Sequence, residues 1–204
     1  MGSHRRLLLA ALAGAAAVAV AIGLISALGN DTTYDFHGSS PPARLVAPPF
    51  VLQDETGTTV RGDDLRGRVV LLTFLSTNCR AQCTPTASTI QIAMADLSDV
   101  ERAEVIALAI SIDPEFDSTD TASEFLLERE LDGIMSYLVG SLEELQPVWD
   151  DYAVLSSVDT GSSDNHSVPV RIFDRNGFWV VSLRSGDDLT PDNLVHDVRE
   201  VLAN

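Results

Sequence analysis

The chain has 204 residues, and 45% of them are hydrophobic, which is enough for one folded domain with a buried core and additional segments. Its formal net charge is −17, from 30 acidic and 13 cationic side chains, and every one of those cations is Arg. Nucleic-acid-binding proteins take much of their affinity from basic patches, so this charge argues against nucleic acid as a partner. An acidic surface suits solubility or docking onto a basic protein.

An uncharged segment of 22 residues, 7–28, follows the N-terminal residues 1–6. A helix of this length spans the ~30 Å hydrocarbon core of a bilayer. Arg5 and Arg6 precede the segment and acidic residues follow it, so the positive-inside bias places residues 1–6 in the cytoplasm. We therefore predict a single-pass transmembrane anchor over residues 7–28 in the cell membrane, with a soluble domain on the extracytoplasmic side. A cleavable signal peptide is the alternative.

The next segment, residues 29–49, is rich in Gly, Ser and Pro. Such a composition is typical of extended chain that does not pack into a core. We predict a flexible tether over residues 29–49 and a folded domain over residues 50–204. His37 falls within the predicted tether, where we expect its side chain to be mobile.

Strands and helices alternate in the predicted domain. Residues 69–75 (VVLLTFL) are an apolar, β-rich run that is typical of a strand buried on both faces. Further strands are predicted at 50–52, 105–112, 134–139, 168–173 and 178–183, and helices at 86–97, at 121–131, after a capping box at 141–144, and after an N-cap at Thr190. This order predicts an α/β fold of thioredoxin-like type, with a central mixed sheet flanked by helices.

The two cysteines of the chain, Cys79 and Cys83, lie where the first buried strand meets its helix, in the segment STNCRAQCTP. Ligand and redox sites concentrate at such carboxyl ends of strands. Backbone N–H groups at a helix N-terminus stabilise thiolates, and only thiolates bind metal or attack disulfides. The spacing of four residues permits both sulfurs to hold one ion or to form a disulfide. A static structural disulfide is the competing interpretation, although a bridge across so short a loop stabilises little.

Two thiolates do not complete a site for most metals, so a histidine is the expected further ligand. His4 lies on the cytoplasmic side of the predicted anchor, and His196 falls among polar positions of the last helix, where we expect it to be solvated. His166 stands just before the predicted strand 168–173. In a thioredoxin-like sheet that strand lies beside the strand leading to Cys79.

The sequence therefore predicts a metal site made by Cys79, Cys83 and His166. Two soft thiolates with one imidazole suit Cu(I), which accepts few and soft ligands. Copper is the cofactor that this donor set indicates.

Six segments, in this order, resemble one family: YDFHG (34–38), FVLQDETG (50–57), DLRGRVVLLTF (64–74), the C-x3-C pair, ISIDPEFDST (110–119) and DNHSVPVRIFDRNG (164–177). The chain resembles the Sco (SenC/PrrC-type) copper chaperones, which are membrane-anchored, thioredoxin-like proteins implicated in assembling cytochrome c oxidase. Three positions depart from the family pattern. Pro169 lies inside the predicted strand 168–173, near the cis-Pro position of thioredoxins but not at it, so we expect a trans peptide bond there. Thr84 separates the second cysteine from Pro85, and Asn165 stands where Asp commonly precedes the histidine.

The resemblance implies that Cys79, Cys83 and His166 ligate copper. It implies delivery of that copper to the dinuclear copper site of cytochrome c oxidase, with the copper-bearing subunit or another copper protein as the partner. It gives Asp113, which follows the second core strand, a role in capping a helix or in docking. The alternative function is a thiol–disulfide oxidoreductase that reduces the Cys pair of a partner protein, although thioredoxin-type catalysts typically use C-x-x-C.

Overall fold

The computed structural model describes residues 34–79, 81–162 and 169–204. The predicted cytoplasmic N-terminus and anchor, together with residues 29–33 of the predicted tether, lie outside these ranges. Within them, no helix combines the length and the apolar character that crossing a bilayer requires.

A mixed six-stranded sheet forms the centre of the domain, and two further strands form a separate hairpin. All the strands, in chain order, are β1 (Leu45–Val46), β2 (Val51–Gln53), β3 (Thr59–Arg61), β4 (Val69–Leu75), β5 (Val105–Ser111), β6 (Met135–Leu138), β7 (Pro169–Phe173) and β8 (Phe178–Arg184). The sheet order is β1–β8–β7–β4–β5–β6, in which β4, β5 and β6 are parallel and the other pairings are antiparallel. β2 and β3 form a separate hairpin. The predicted α/β class with a central mixed sheet is confirmed.

The helices are α1 (Cys83–Asp96), α2 (Asp99–Ala103), α3 (Thr119–Glu128), α4 (Leu142–Asp151), α5 (Ser157–Thr160) and α6 (Pro191–Ala203), with a 3-10 turn at Gly62–Leu65. Apart from α1, whose N-cap residue makes no side-chain cap bond, the described α-helices begin at a Ser or Thr cap that is visible in the local sequence. The predicted capping box of Ser141 with Glu144 and the predicted Thr190 N-cap are both confirmed. α1 begins three residues earlier than predicted. Pro85 is tolerated there because N–H groups in the first helical turn have no partner within the helix.

The central strand β4 is buried along its whole length because helices cover both faces of the sheet. Its alternate side chains Val69, Leu71 and Leu75 enter a core that also contains residues of α1, α3 and α6. The intervening side chains enter a second core with the β2–β3 hairpin and α4, where Trp149 is fully buried. The strand is therefore held on both faces, and the end of β4 is a fixed point from which the following loop starts.

The segment before residue 50 differs from the predicted flexible tether. β1 pairs with β8, and Ser39 and Ser182 exchange two backbone hydrogen bonds, each of 2.9 Å. The backbone N–H groups of His37 and Gly38 donate to the buried carboxylate of Asp197 in α6, at 2.8 and 3.0 Å. The compact unit consequently begins at Tyr34 rather than near residue 50. Composition alone could not predict this docking, because the partners of the segment lie about 130 to 160 positions later in the chain.

We expect Gly38→Ala to destabilise the domain, because an added Cβ would lie 2.6 Å from the carbonyl oxygen of Ser182 and 2.7 Å from a methyl group of Val181. Relief of this overlap requires the segment to move away from β8, so the free energy of unfolding should fall by about 1–3 kcal/mol. Urea unfolding of the full-length chain measures it. The neighbouring exposed substitution Ser40→Ala is the control and should change stability by less than about 0.5 kcal/mol. Equal stability of the two variants would contradict the docking.

Candidate metal centre

The two cysteines lie together at the junction between β4 and α1, as the sequence predicts. Cys79 is in the loop after β4, and Cys83 is the first residue of α1. Their sulfurs are joined in a disulfide with a Cα–Cα distance of 5.6 Å, and both side chains are fully buried. The backbone N–H of Cys83 donates to Cys79 Sγ at 3.2 Å. The helix N-terminus therefore directs a donor at one of the two sulfurs.

This position gives the reduced pair a defined chemistry. A backbone N–H donor and the positive end of a helix dipole both favour the thiolate over the thiol. In the disulfide, neither sulfur carries a negative charge, so neither is the thiolate ligand that a metal requires. Reduction by two electrons and two protons gives two thiols. Their deprotonation gives two thiolates, which are soft ligands, on residues whose Cα atoms are 5.6 Å apart. The same pair can thus take part in thiol exchange or in metal binding.

The loop that carries Cys79 is held by the buried carboxylate of Asp117. Asp117 Oδ1 accepts hydrogen bonds from the backbone N–H and the hydroxyl of Thr77, at 2.9 and 2.6 Å. Its Oδ2 accepts from the hydroxyls of Ser111, the last residue of β5, and Tyr137 in β6, at 2.6 and 2.8 Å. Burial raises the pKa of Asp117, while the bonds from Ser111 and Thr77 act in the opposite direction. This carboxylate therefore ties the loop to two neighbouring strands.

Asp117 was not among the predicted site residues, and the helix-capping role predicted for the nearby Asp113 is wrong. The N-cap of α3 is Ser118, whose hydroxyl accepts from the N–H of Thr121. Asp113 is buried, and the hydroxyl of Ser76 donates to its carboxylate at 3.4 Å. One signal was available in the sequence. A tyrosine within a buried strand needs a hydrogen-bond partner for its hydroxyl, and Tyr137 finds it in Asp117. Burial, followed by the charge of Asp117, raises the pKa of Tyr137 well above its usual value.

The predicted third ligand, His166, lies outside the described residues. The described chain resumes at Pro169, which is the first residue of β7. This strand pairs antiparallel with β4, with Arg171 opposite Leu72. Pro169 and Gln82, which lies between the two cysteines, line the same groove. The beginning of β7 therefore lies at the end of the sheet where β4 stops and the loop with Cys79 begins.

His37 was predicted to be mobile and His196 to be solvated, and the structure differs from both predictions. His37 and His196 are stacked, with ring centroids 3.9 Å apart and planes 3° from parallel. His37 Nδ1 lies 2.8 Å from Asn193 Oδ1. The structure therefore does not support a mobile His37, and His196 is only partly exposed to solvent, with 34% of its side chain accessible.

Comparison with known proteins agrees with this architecture. A protein-family model described as SCO1/SenC matches residues 38–203. The SCO1 protein homolog of Bacillus subtilis (strain 168) is 31% identical over 111 residues, which are 50% of this chain and 55% of that protein. The match thus spans little more than half the length of this curated relative.

Two solved structures illustrate the likeness of the fold. Bradyrhizobium japonicum ScoI with copper bound has a TM-score of 0.62 at 26% identity, covering 77% of this chain and 99% of that one. BsSco, described as a member of the Sco family of cytochrome c oxidase assembly proteins in which a disulfide switch was identified, has a TM-score of 0.67 at 21% identity, covering 81% and 98%. Because the family match extends over well more than half of the sequence, the chain belongs to the SCO1/SenC family and has its thioredoxin-like fold.

Proposed function

We propose that this chain is a membrane-anchored, extracytoplasmic copper-binding protein of Sco type that delivers copper to the dinuclear copper site of cytochrome c oxidase. The observation that carries the proposal is the pair Cys79 and Cys83, in bonding contact at the N-terminus of α1. Membership of the SCO1/SenC family, and the copper and oxidase assembly named for its solved relatives, support the same function. Copper is then the cargo that the protein carries.

The proposed copper ligands are the thiolates of Cys79 and Cys83 and the imidazole of His166. The donor set fits Cu(I), since soft thiolates and few ligands are what this ion prefers. The placement of β7 supports His166, because the strand begins three residues after it, on the side of the sheet where β4 ends. A dithiol reductant must first open the disulfide, because the bonded sulfurs offer no thiolate.

Cys79→Ser and Cys83→Ser should each abolish tight Cu(I) binding by the reduced, full-length chain. One thiolate with one imidazole cannot hold a soft ion against competing thiols. Cu(I) titration against a chromogenic chelator measures the affinity and the expected ratio of one copper per chain. Gln82→Ala, which changes the same loop without removing a sulfur, is the matched control and should bind as the native chain does. Undiminished affinity in either serine variant would rule out a shared site.

A thiol–disulfide oxidoreductase is the second candidate, and the disulfide itself is the observation that favours it. Such a protein would reduce the Cys pair of its partner by attack of one thiolate on the partner's disulfide, through a mixed disulfide. The second cysteine would then release the partner and re-form the bond between Cys79 and Cys83. Both functions use the same sulfurs, so a cysteine variant does not separate them.

His166→Ala separates the two functions. Copper affinity should fall about 10–100-fold or more, by analogy with the cost of disturbing a metal ligand's support. Disulfide exchange should be largely kept, because its rate depends on thiolate fraction and access. The measurements are oxidase activity in cells that carry only this variant under limiting copper, and exchange rates of the purified chain.

We expect defective oxidase with nearly normal exchange in His166→Ala. Asn165→Ala, at the adjacent position, controls for disturbance of the segment and should leave both readouts close to native. Normal oxidase activity together with lost copper binding in His166→Ala would contradict copper delivery and favour the reductase.

The proposed membrane attachment depends on the uncharged residues 7–28 and the arginines before them. The protein in cells should keep residues 1–28 and should resist extraction by high salt or carbonate. Membrane fractionation and N-terminal sequencing measure both properties. A soluble protein whose sequence begins near residue 30 would instead identify the apolar segment as a cleaved signal peptide.

A further inference from the structure

A second group of metal-binding side chains lies where the N-terminal segment meets α6. His37, His196 and Asp197 each direct one possible ligand atom into the same place, and these three atoms lie within 4.8 Å of one another. The group shares no residue with the cysteine pair and contains no sulfur. Its three donors therefore define a separate site with its own ligand chemistry.

Three of the residues around this site lie on one face of α6 because of their spacing in the sequence. Asn193, His196 and Asp197 are at positions i, i+3 and i+4 of α6, so they share one face of the helix. The amide nitrogen of Asn193 donates to the carbonyl of Asp188 at 2.8 Å, which leaves Asn193 Oδ1 directed at His37. An amide oxygen thus lies 2.8 Å from one ring nitrogen of the group.

The segment that carries His37 is held rigidly, and this fixes the geometry of the group. Asp197 is fully buried and accepts the backbone N–H groups of His37 and Gly38. Gly38 is pressed against β8, where even a methyl group would overlap the backbone. Sites whose ligands stand on fixed backbone need little reorganisation when an ion binds.

Anchoring of the segment explains the carboxylate but not the two imidazoles. The hydrogen bonds from His37 and Gly38 to Asp197 come from the backbone, so any residue except Pro at position 37 could donate the first of them. The stacked rings of His37 and His196, together with an amide oxygen 2.8 Å from one ring nitrogen, are additional features. They bring nitrogen and oxygen donors together without serving the backbone contacts.

The distances suit a small divalent ion. In a tetrahedral site with bonds of about 2.0–2.1 Å, neighbouring donor atoms are about 3.3 Å apart. His196 Nδ1 and Asp197 Oδ1 are 3.2 Å apart in the structure. An ion can therefore replace the proton between them, with the imidazole proton moving to Nε2. The ligand atom of His37 lies within 4.8 Å of the other two, so this exposed side chain has to move closer to complete the set.

We propose that His37, His196 and Asp197 form a binding site for a divalent transition-metal ion of Zn(II) type, with Asn193 Oδ1 or water in the fourth position. Imidazole and carboxylate donors favour such borderline divalent ions, whereas the two thiolates of the cysteine pair favour Cu(I). The bound ion joins the segment around residue 37 to the last helix, and it stabilises the docked arrangement by mass action.

The test is calorimetric titration of Zn(II) into the full-length chain with the Cys79–Cys83 disulfide intact. A thiol reagent first verifies that no free thiol is present, so that the cysteines cannot contribute and failure of the copper proposal does not affect the result. We expect one Zn(II) per chain. At a Zn(II) concentration about a hundredfold above the dissociation constant, the thermal midpoint should rise by about 5–10 °C.

His37→Gln and His196→Gln should each weaken Zn(II) binding at least tenfold and remove most of the thermal shift. Both positions reach solvent, and far-UV circular dichroism verifies that each variant is folded. His4→Gln, a histidine outside the group, is the matched control and should bind as the native chain does. Asp197 is not substituted, because its carboxylate also holds the backbone of the segment.

Three results would overturn the proposal. The first is the absence of Zn(II) binding by the native oxidised chain, and the second is native affinity in either of the two glutamine variants. The third is loss of binding in His166→Gln with binding retained in His37→Gln, because the ion would then belong to the other site.

Discussion

The carboxylate of Asp117 is the constraint on which the cysteine site depends. Its four hydrogen bonds join the loop after β4 to the end of β5 and to β6. Hydrogen bonds to a charged group each contribute about 1.5–3 kcal/mol, and a buried carboxylate without them is strongly unfavourable. Thr77 is two residues before Cys79, so the position of the first sulfur follows from this network. Residues 76–79 form no helix or strand, yet the bonds at Thr77 fix their backbone to the neighbouring strands.

The burial of β4 supplies the other half of this constraint. Because alternate side chains of the strand enter two separate cores, a shift of one residue in its register would exchange the two sets. The strand therefore ends at one defined place. The following segment to α1 is short, and the first turn of α1 places the N–H of Cys83 against Cys79 Sγ. The cysteine chemistry is thus a consequence of strand register and of the helix start.

Local patterns in the sequence predicted most of the fold. The apolar run at 69–75, the capping box at Ser141 and the Thr190 N-cap depend on residues within a few positions of one another, and all three are confirmed. The position of the cysteine pair followed from the same patterns. The docking of residues 34–49, the bonds of Asp117 to Thr77 and Tyr137, and the stack of His37 on His196 were not predictable, because each joins positions 20 to about 160 residues apart. Composition describes a Pro- and Gly-rich segment, but it does not reveal a distant carboxylate that accepts its N–H groups.

Two of the buried acids in the described residues satisfy their charge in the same way. Asp117 is held by backbone and hydroxyl donors, and Asp197 by two backbone N–H groups and an imidazole. Such bonds are directional, so they fix the backbone that donates them, whereas an ion pair with a long Arg side chain constrains its partner's backbone much less. Asp117 fixes the loop of Cys79, and Asp197 fixes the segment of His37. Most other acids in the described part of the chain face solvent. Each proposed metal centre, in contrast, includes residues on backbone that one of these two buried carboxylates holds, and this is how irregular segments can present ligands at defined positions.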